Sequence, residues 1–205
     1  MLFNNGIYGL TKGQYSSTSQ YGKVTPSTPY GSFEHPVNPI KLALTADCTF
    51  IARSIDIDNK GLHDILLKAV AHKGTCFIEI LQDCNIYNKD NILSLRNSLN
   101  DFENILFLKH GSGYFFGKNF DKCIYLDKNY EFSIKNKSEF NSHIVHDITK
   151  DSIIHYLLSD MSLPNFPVPI GIFRSIKKTT YEESYFNSKS KKYNDLIKDE
   201  IYNLV

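Results

Sequence analysis

Apolar residues run along this chain in two rhythms, and the switch between them outlines its architecture. From Asn59 to Lys73, the residues Leu62, Ile65, Leu66, Ala69 and Val70 recur at i, i+3, i+4, i+7 and i+8. His72 and Lys73 stand in the last turn with Gly74 just past it, so the spacing predicts a helix. On either side the pattern becomes continuous. Thr49 to Ile55 and Cys76 to Leu81 are runs of β-branched, aromatic and aliphatic residues of strand length. A strand, a helix and a strand with short joints form a βαβ unit, whose strands are parallel and whose crossover is right-handed. The fold class is therefore α/β. Upstream, Met1, Leu2 and Phe3 read as the end of a buried strand, and Pro39 opens a short helix through Ala46.

Between these elements, residues 11 to 39 hold four of the seven prolines together with many Thr, Ser and Gly residues, too much punctuation for a helix or central strand. This is a long ordered loop, and Tyr15, Tyr21, Tyr30 and Phe33 within it are expected to pack against something. Beyond Cys84 the character changes. Ile105 to Leu108, Tyr114 to Phe116, Cys123 to Leu126 and Tyr130 to Ile134 are short strand-like pieces between polar turns, which predicts a small second lobe. Asp151 to Met161 reads as a helix, Pro164 to Pro169 as a Pro-rich joint, and Tyr181 to Val205 as an amphipathic tail.

Composition narrows the partners. The net charge is +1 without a long basic run, which argues against nucleic acid and anionic membrane. No apolar stretch reaches the length of a membrane span and residues 1 to 20 lack signal-peptide character, so a cytoplasmic location is expected. Four cysteines, at 48, 76, 84 and 123, include no Cys-x-x-Cys pair, and no disulfide framework is expected. Cys48, Cys76 and Cys123 adjoin apolar runs and read as core thiols. Cys84 lies beyond its run among Gln82, Asp83 and Asn85, in an exposed turn. His143, His146 and His155 show no convincing zinc spacing, and Glu34 and His35 fit either polar contacts near a site or plain surface.

Ligands of open α/β sheets collect at the carboxyl ends of parallel strands. Asn5 follows one such end and Cys84 another, so the two are expected on one edge of the sheet. Asn4, Asn5 and Gly6 there are ordinary turn residues, and they also offer neutral amide oxygens, which suit a hard cation such as Mg²⁺.

The stretch from Asn4 through Tyr8-Gly9-Leu10-Thr11-Lys12-Gly13-Gln14 to Ser16-Ser17-Thr18 resembles the β subunits of 2-oxoacid:ferredoxin oxidoreductases. Gly22 to Ser32 with Pro36-Val37-Asn38-Pro39 is similar to the long loop of the 2-oxoglutarate branch, and Phe77 to Asn85 is similar to the segment that carries a cluster cysteine. The match is dense to about residue 90 and thins to pieces such as Leu108 to Gly111, His146-Asp147 and Pro169 to Arg174. Family members place a Gly-Asp-Gly-Asp segment and three cluster cysteines upstream of the Asn pair, and neither segment occurs in this sequence. The sequence thus looks like the downstream portion of a longer β subunit.

The resemblance implies a partial thiamine-diphosphate-binding fold with a parallel sheet, over residues 1–83, followed by a small α+β carboxyl-terminal extension over 84–205. It implies that the Asn5 side chain and the Ile7 carbonyl ligate Mg²⁺, that Gly9, Leu10 and Thr11 line the cofactor, and that Lys12 recognises the substrate carboxylate. It also implies that Cys84 is the fourth thiolate of a 4Fe-4S cluster in the full assembly. Thr11, Gln14 and Ser17 are left as hydrogen-bond donors without an assigned target. The implied reaction is oxidative decarboxylation of 2-oxoglutarate, or of pyruvate, to an acyl-CoA and CO₂. The implied partners are an α subunit, ferredoxin and coenzyme A, and the isolated chain is expected to be inactive. Another thiamine diphosphate decarboxylase fits Leu10 to Gln14 and Cys84 poorly. The rival of a different kind is a non-catalytic remnant or assembly module that docks on the α subunit.

Overall fold

A computed structural model of the chain describes residues 1–100, 102–139 and 144–189. Its centre is β2 (Phe50–Ile55), every residue of which is buried. That follows from its position: β2 pairs in parallel with β3 (Cys76–Leu81) and antiparallel with β8 (Val168–Ser175). The outer strands are β1 (Leu2–Asn4), parallel to β3, and β4 (Ile105–Leu108), parallel to β8, giving the order β1-β3-β2-β8-β4. Helix α2 (Asn59–Ala71) makes the crossover from β2 to β3, as the hydrophobic spacing predicts. Its N-terminus is held by Asp58, which accepts the Gly61 N–H at 2.9 Å.

Strand alternation sends side chains to two faces. Phe50, Ala52, Ile78 and Ile80 pack under Ile65 of α2. Ile51 and Phe173 pack on the opposite face against Ile40, Ala43 and Leu44 of α1 (Pro39–Thr45). Helices on both faces are the reason the sheet strands read as continuous apolar runs. β1 departs from the expectation of a buried strand: it is an edge, and Phe3 is 58% exposed.

The segment after Cys84 does not stand apart. A short helix α3 (Leu93–Asn97) leads to β4, and β4 and β8 both join the main sheet. Only β5 (Phe115–Phe116), β6 (Lys122–Leu126) and β7 (Phe132–Asn136) form a separate three-stranded antiparallel sheet. Even there Tyr114, Phe116 and Ile124 enter the same core as α1 and α4 (Ile153–Ser159). β8 occupies the sequence expected to be partly a Pro-rich joint. It accommodates a bulge, since Ile51 faces Arg174 while Ala52 faces Ile172, skipping Phe173. Gly171 sits in this strand at φ 130°, where a Cβ would lie 2.8 Å from the Leu108 carbonyl oxygen. Of the expected tail, residues 181–189 are helical, opened by a capping box in which Glu183 N–H donates to Thr180 Oγ1 at 3.2 Å and Thr180 N–H to Glu183 at 3.1 Å. The remainder, 190–205, lies outside the described residues, as does His143.

His146 and His155 are buried together, with ring centroids 5.8 Å apart. The His146 Nε2 bonds the Ile172 carbonyl at 2.8 Å and its Nδ1 faces the Tyr114 hydroxyl at 3.1 Å, while Nδ1 of His155 has no partner among the described residues. Burial holds the His155 pKa down to about 4, with the neighbouring His146 adding to the effect, and burial also lowers His146. The folded state therefore binds both rings neutral, whereas the unfolded chain protonates them as pH falls through about 6.5. Stability is expected to be full above that pH and to be lost progressively down towards pH 4, with roughly 2 kcal/mol gone by pH 5 from His155 alone. Urea unfolding at pH 7.5 and pH 5 measures this, and His155→Phe should flatten the difference; equal sensitivity in the variant would show that other groups carry it.

Candidate active-site edge

The carboxyl ends of β1 and β3 stand side by side, because Asn4 pairs with Leu81 and the Gln82 N–H continues the ladder to the Asn4 carbonyl at 3.0 Å. Beyond β1 the backbone turns sharply. Asn4 and Asn5 each accept, through the side-chain oxygen, a backbone N–H two residues on, Gly6 at 3.1 Å and Ile7 at 3.2 Å. These local bonds are the reason Asn suits both positions. A tight loop follows, closed by Tyr8 N–H to the Gln14 carbonyl at 2.8 Å and Gly13 N–H to the Tyr8 carbonyl at 3.0 Å. Lys12 occupies its tip with φ 71° and an exposed side chain. Ile7 is buried, while Leu10 is fully exposed and Thr11 bonds only the Tyr8 carbonyl, at 3.4 Å.

Between β1 and this loop lies an open cleft of ≈ 670 Å³ lined by Asn5, Ile7, Gly9, Thr11, Gln14 and Ser17 among others. Its polar lining is amide, hydroxyl and backbone, without a carboxylate among the described residues. Neutral oxygens of this kind can complete the shell of a Mg²⁺ ion but leave its charge unanswered.

Cys84 meets the loop from β3. A Cβ on Gly9 would lie 3.2 Å from the Cys84 sulfur and 4.0 Å from the Asn5 side-chain nitrogen. The cysteine sits in a turn closed by its own N–H to the Asn88 carbonyl at 3.2 Å and the return bond at 2.9 Å. Backbone N–H groups of Tyr87, then Ile86, aim at the sulfur and draw the thiol below its ordinary pKa against a small opposing effect of burial, with Asn88 contributing in the same sense. The strand cysteines behave oppositely: burial pushes Cys48, Cys76 and Cys123 up. Cys48 and Cys123 are buried, Cys76 is half-buried, and no group of three or more metal-ligating side chains occurs among the described residues. Of the four cysteines, Cys84 alone has its thiol drawn below rather than pushed above its ordinary pKa.

Residues 1–80 match the family model of the thiamine pyrophosphate enzyme C-terminal TPP binding domain. The chain is 41% identical over 188 residues to the 2-oxoglutarate oxidoreductase subunit KorB of Mycobacterium tuberculosis, covering 90% of this chain and 50% of that protein. Over 88 residues it is 46% identical to the 2-oxoacid:ferredoxin oxidoreductase subunit beta of Saccharolobus solfataricus, covering 43% of this chain and 29% of that one. The chain is related to 2-oxoacid:ferredoxin oxidoreductase β subunits. It spans about half the length of the first of these relatives. In fold it is similar to a 2-oxoglutarate:ferredoxin oxidoreductase from Magnetococcus marinus, solved with 2-oxoglutarate, coenzyme A and succinyl-CoA bound. The TM-score is 0.66 at 23% identity, over 93% of this chain and 51% of that chain.

Within this β-subunit relative the edge is supported by groups that the sequence reading passed over. Glu79 is 1% exposed and bonds Asn4 at 2.8 Å through one oxygen and Arg53 at 2.7 Å through the other. The Arg53 guanidinium also lies over the Phe173 ring, 5.6 Å from its centroid. Thr18 donates to the Asn4 side-chain oxygen at 2.7 Å, so a polar chain runs from the buried Arg53 and Glu79 to the half-buried amide pair. Arg53 and Glu79 are the sole charged residues of β2 and β3 and face each other in register. Sliding the two runs into parallel register was the signal that would have found them. The aromatics of the long loop also fall short of expectation: Tyr30 is 91% and Phe33 80% exposed. Tyr21 stacks on His35 at 5.0 Å, and the Tyr15 hydroxyl bonds Glu34. Hydrogen bonds hold this loop instead, including Ser19 Oγ to the Gly6 carbonyl at 2.8 Å and Ser32 N–H to the Lys23 carbonyl at 3.0 Å.

Proposed function

We propose that this chain acts as β-subunit polypeptide in a thiamine diphosphate-dependent 2-oxoacid:ferredoxin oxidoreductase that oxidatively decarboxylates 2-oxoglutarate. The observation that carries the reading is the meeting of the Asn5 to Gln14 loop with the Cys84 thiol at one sheet edge, with Gly9 against the sulfur. The residues present fit the group in part: the cleft offers amide and hydroxyl oxygens, and its lining lacks the carboxylate that a Mg²⁺-diphosphate would require. Thiamine diphosphate, when bound, supplies the carbanion that adds to the keto carbon and takes up the electrons left on decarboxylation. The Asn5 side chain and the Ile7 carbonyl would hold the metal, with Gly9, Leu10 and Thr11 along the cofactor. Lys12, on an exposed tip, would present its ammonium to the oxoacid carboxylate. The Cys84 thiolate would hold one iron of a 4Fe-4S cluster that passes electrons to ferredoxin, the acyl group going to coenzyme A.

A non-catalytic role, docking on an α subunit, is favoured by one observation, the cleft without a carboxylate beside a loop that exposes Tyr30 and Phe33. Kinetics of the assembled complex separate the two. Lys12→Ala is expected to lower kcat/KM for 2-oxoglutarate by about tenfold to hundredfold, the scale of one hydrogen bond to a charged group, while bound thiamine diphosphate stays constant. Loss of cofactor would move Lys12 to the diphosphate, and unchanged kinetics would make it a bystander. An assembled complex that turns over no 2-oxoacid would favour the docking role.

A further inference from the structure

We propose that Asn88 is a positioning residue that clamps the Cys84 turn onto the Asn5 to Gln14 loop, so that the thiol and the amide-lined cleft keep one fixed spacing. Its bearing on catalysis rests on the function proposed above; the clamp itself is a matter of contacts. Asn88 is 6% exposed although it lies in a polar turn. Its side-chain N–H donates to the Asn5 carbonyl at 2.8 Å, and its side-chain oxygen accepts from the Lys23 ammonium at 2.6 Å. Its backbone closes the cysteine turn in both directions, at 3.2 and 2.9 Å. One side chain therefore joins three segments: the turn after β3, the turn after β1 and the long loop.

The surfaces around it are cut to match. A Cβ on Gly6 would stand 3.0 Å from the Asn91 side-chain oxygen and 3.3 Å from the Asn88 side-chain nitrogen, and one on Gly13 would stand 2.8 Å from the Tyr87 ring. Gly9, Gly6 and Gly13 thus each let the 84–91 turn approach the loop more closely than a side chain would permit. Among the described residues no hydrophobic core cluster reaches this contact, and a buried amide that satisfies both a carbonyl and an ammonium is the group that keeps it closed. A fixed spacing matters where a cofactor in the cleft exchanges electrons with a metal held by the thiolate, because a shift in either loop changes the gap between them.

Amide hydrogen exchange of the 205-residue chain, without cofactor, tests the clamp, and so stands or falls separately from the proposed activity. In Asn88→Ala the Tyr8, Lys12 and Gly13 amides, which bond the Gln14, Gly9 and Tyr8 carbonyls, should exchange about tenfold faster together with those of Cys84 and residue 88, the scale of one buried hydrogen bond. Amides of β2 and β3 should be unchanged. Asn88→Asp keeps an acceptor for Lys23 but loses the donor to Asn5, and should loosen the Tyr8 to Gln14 loop as Asn88→Ala does. Faster exchange confined to the 84–88 turn, an equal rise across β2 and β3, or full protection of the loop in Asn88→Asp would each overturn the assignment.

Discussion

Glu79→Ala should destabilise the chain by about 3–5 kcal/mol, a large share of a domain's whole stability, because it leaves the Arg53 guanidinium charged, buried and without its carboxylate. Both partners lie almost wholly inside, with the Glu79 side chain 1% and the Arg53 side chain 8% exposed. The same truncation strips the Asn4 amide of its acceptor at 2.8 Å, so part of the cost falls at the site edge. Removing both charges at once, as in Arg53→Met with Glu79→Leu, should cost less, since no buried charge is left unpaired and only the Asn4 amide loses its acceptor. Urea unfolding monitored by circular dichroism distinguishes these cases. A loss below about 1 kcal/mol for Glu79→Ala would mean that the guanidinium finds water through the cavity of ≈ 420 Å³ that Arg53 and Glu79 line with Asn4 and Thr18.

What that pair does for the site is indirect. Glu79 holds Asn4, Asn4 holds the Gly6 N–H and accepts from Thr18, and the turn so built carries Asn5 and Ile7 to the cleft. The charged groups in the middle of the sheet thus set the direction in which an otherwise short edge strand delivers its amides. β1 has only β3 beside it in the described chain, and an exposed Phe3 along that edge leaves pairing capacity on its other side.

The sequence carries some of this architecture openly and conceals the rest for identifiable reasons. The βαβ unit was legible because α2 has a clean helical period and β2 and β3 are continuous apolar runs, each burying side chains on two faces. β8 was not, since Pro169 and Gly171 interrupt its run and Arg174 ends it, and only a bulge and a left-handed glycine make that sequence a strand. Arg174 itself is 1% exposed and reaches Asp47 at 2.8 Å and Asp151 at 2.9 Å, contacts between positions far apart in the chain that no local pattern reveals. The separate lobe expected after Cys84 shrank to β5, β6 and β7 for the same reason: β4 reads as a short isolated strand until β8 is there to join it to the sheet.

At the site the division is similar. The proximity of Asn5 and Cys84 followed from the rule that parallel strands present their carboxyl ends on one edge. The chemical difference between Cys84 and the other three thiols followed from one lying past its strand and the others adjoining theirs. Asn88 was invisible, because an asparagine between Tyr87 and Lys89 looks like any turn residue until the loop it holds is seen. Tyr21, Tyr30 and Phe33, expected to pack against something, are left exposed by the described residues.

The most direct measurement of the proposed role is the iron content of the assembled oxidoreductase containing this chain, determined for four single variants alongside the parent. Cys84→Ser should abolish the cluster's absorbance and with it 2-oxoglutarate-dependent reduction of ferredoxin, because a hydroxyl at the place where Tyr87 and Ile86 N–H groups stabilise a thiolate is a poor iron ligand. Cys48→Ser, Cys76→Ser and Cys123→Ser should retain full iron and lose at most stability. For Cys48 the sulfur now lies 3.2 Å from two backbone carbonyls, and a shorter hydroxyl cannot reach both without strain. Iron that survives Cys84→Ser and falls with one of the strand cysteines would contradict the account at its centre.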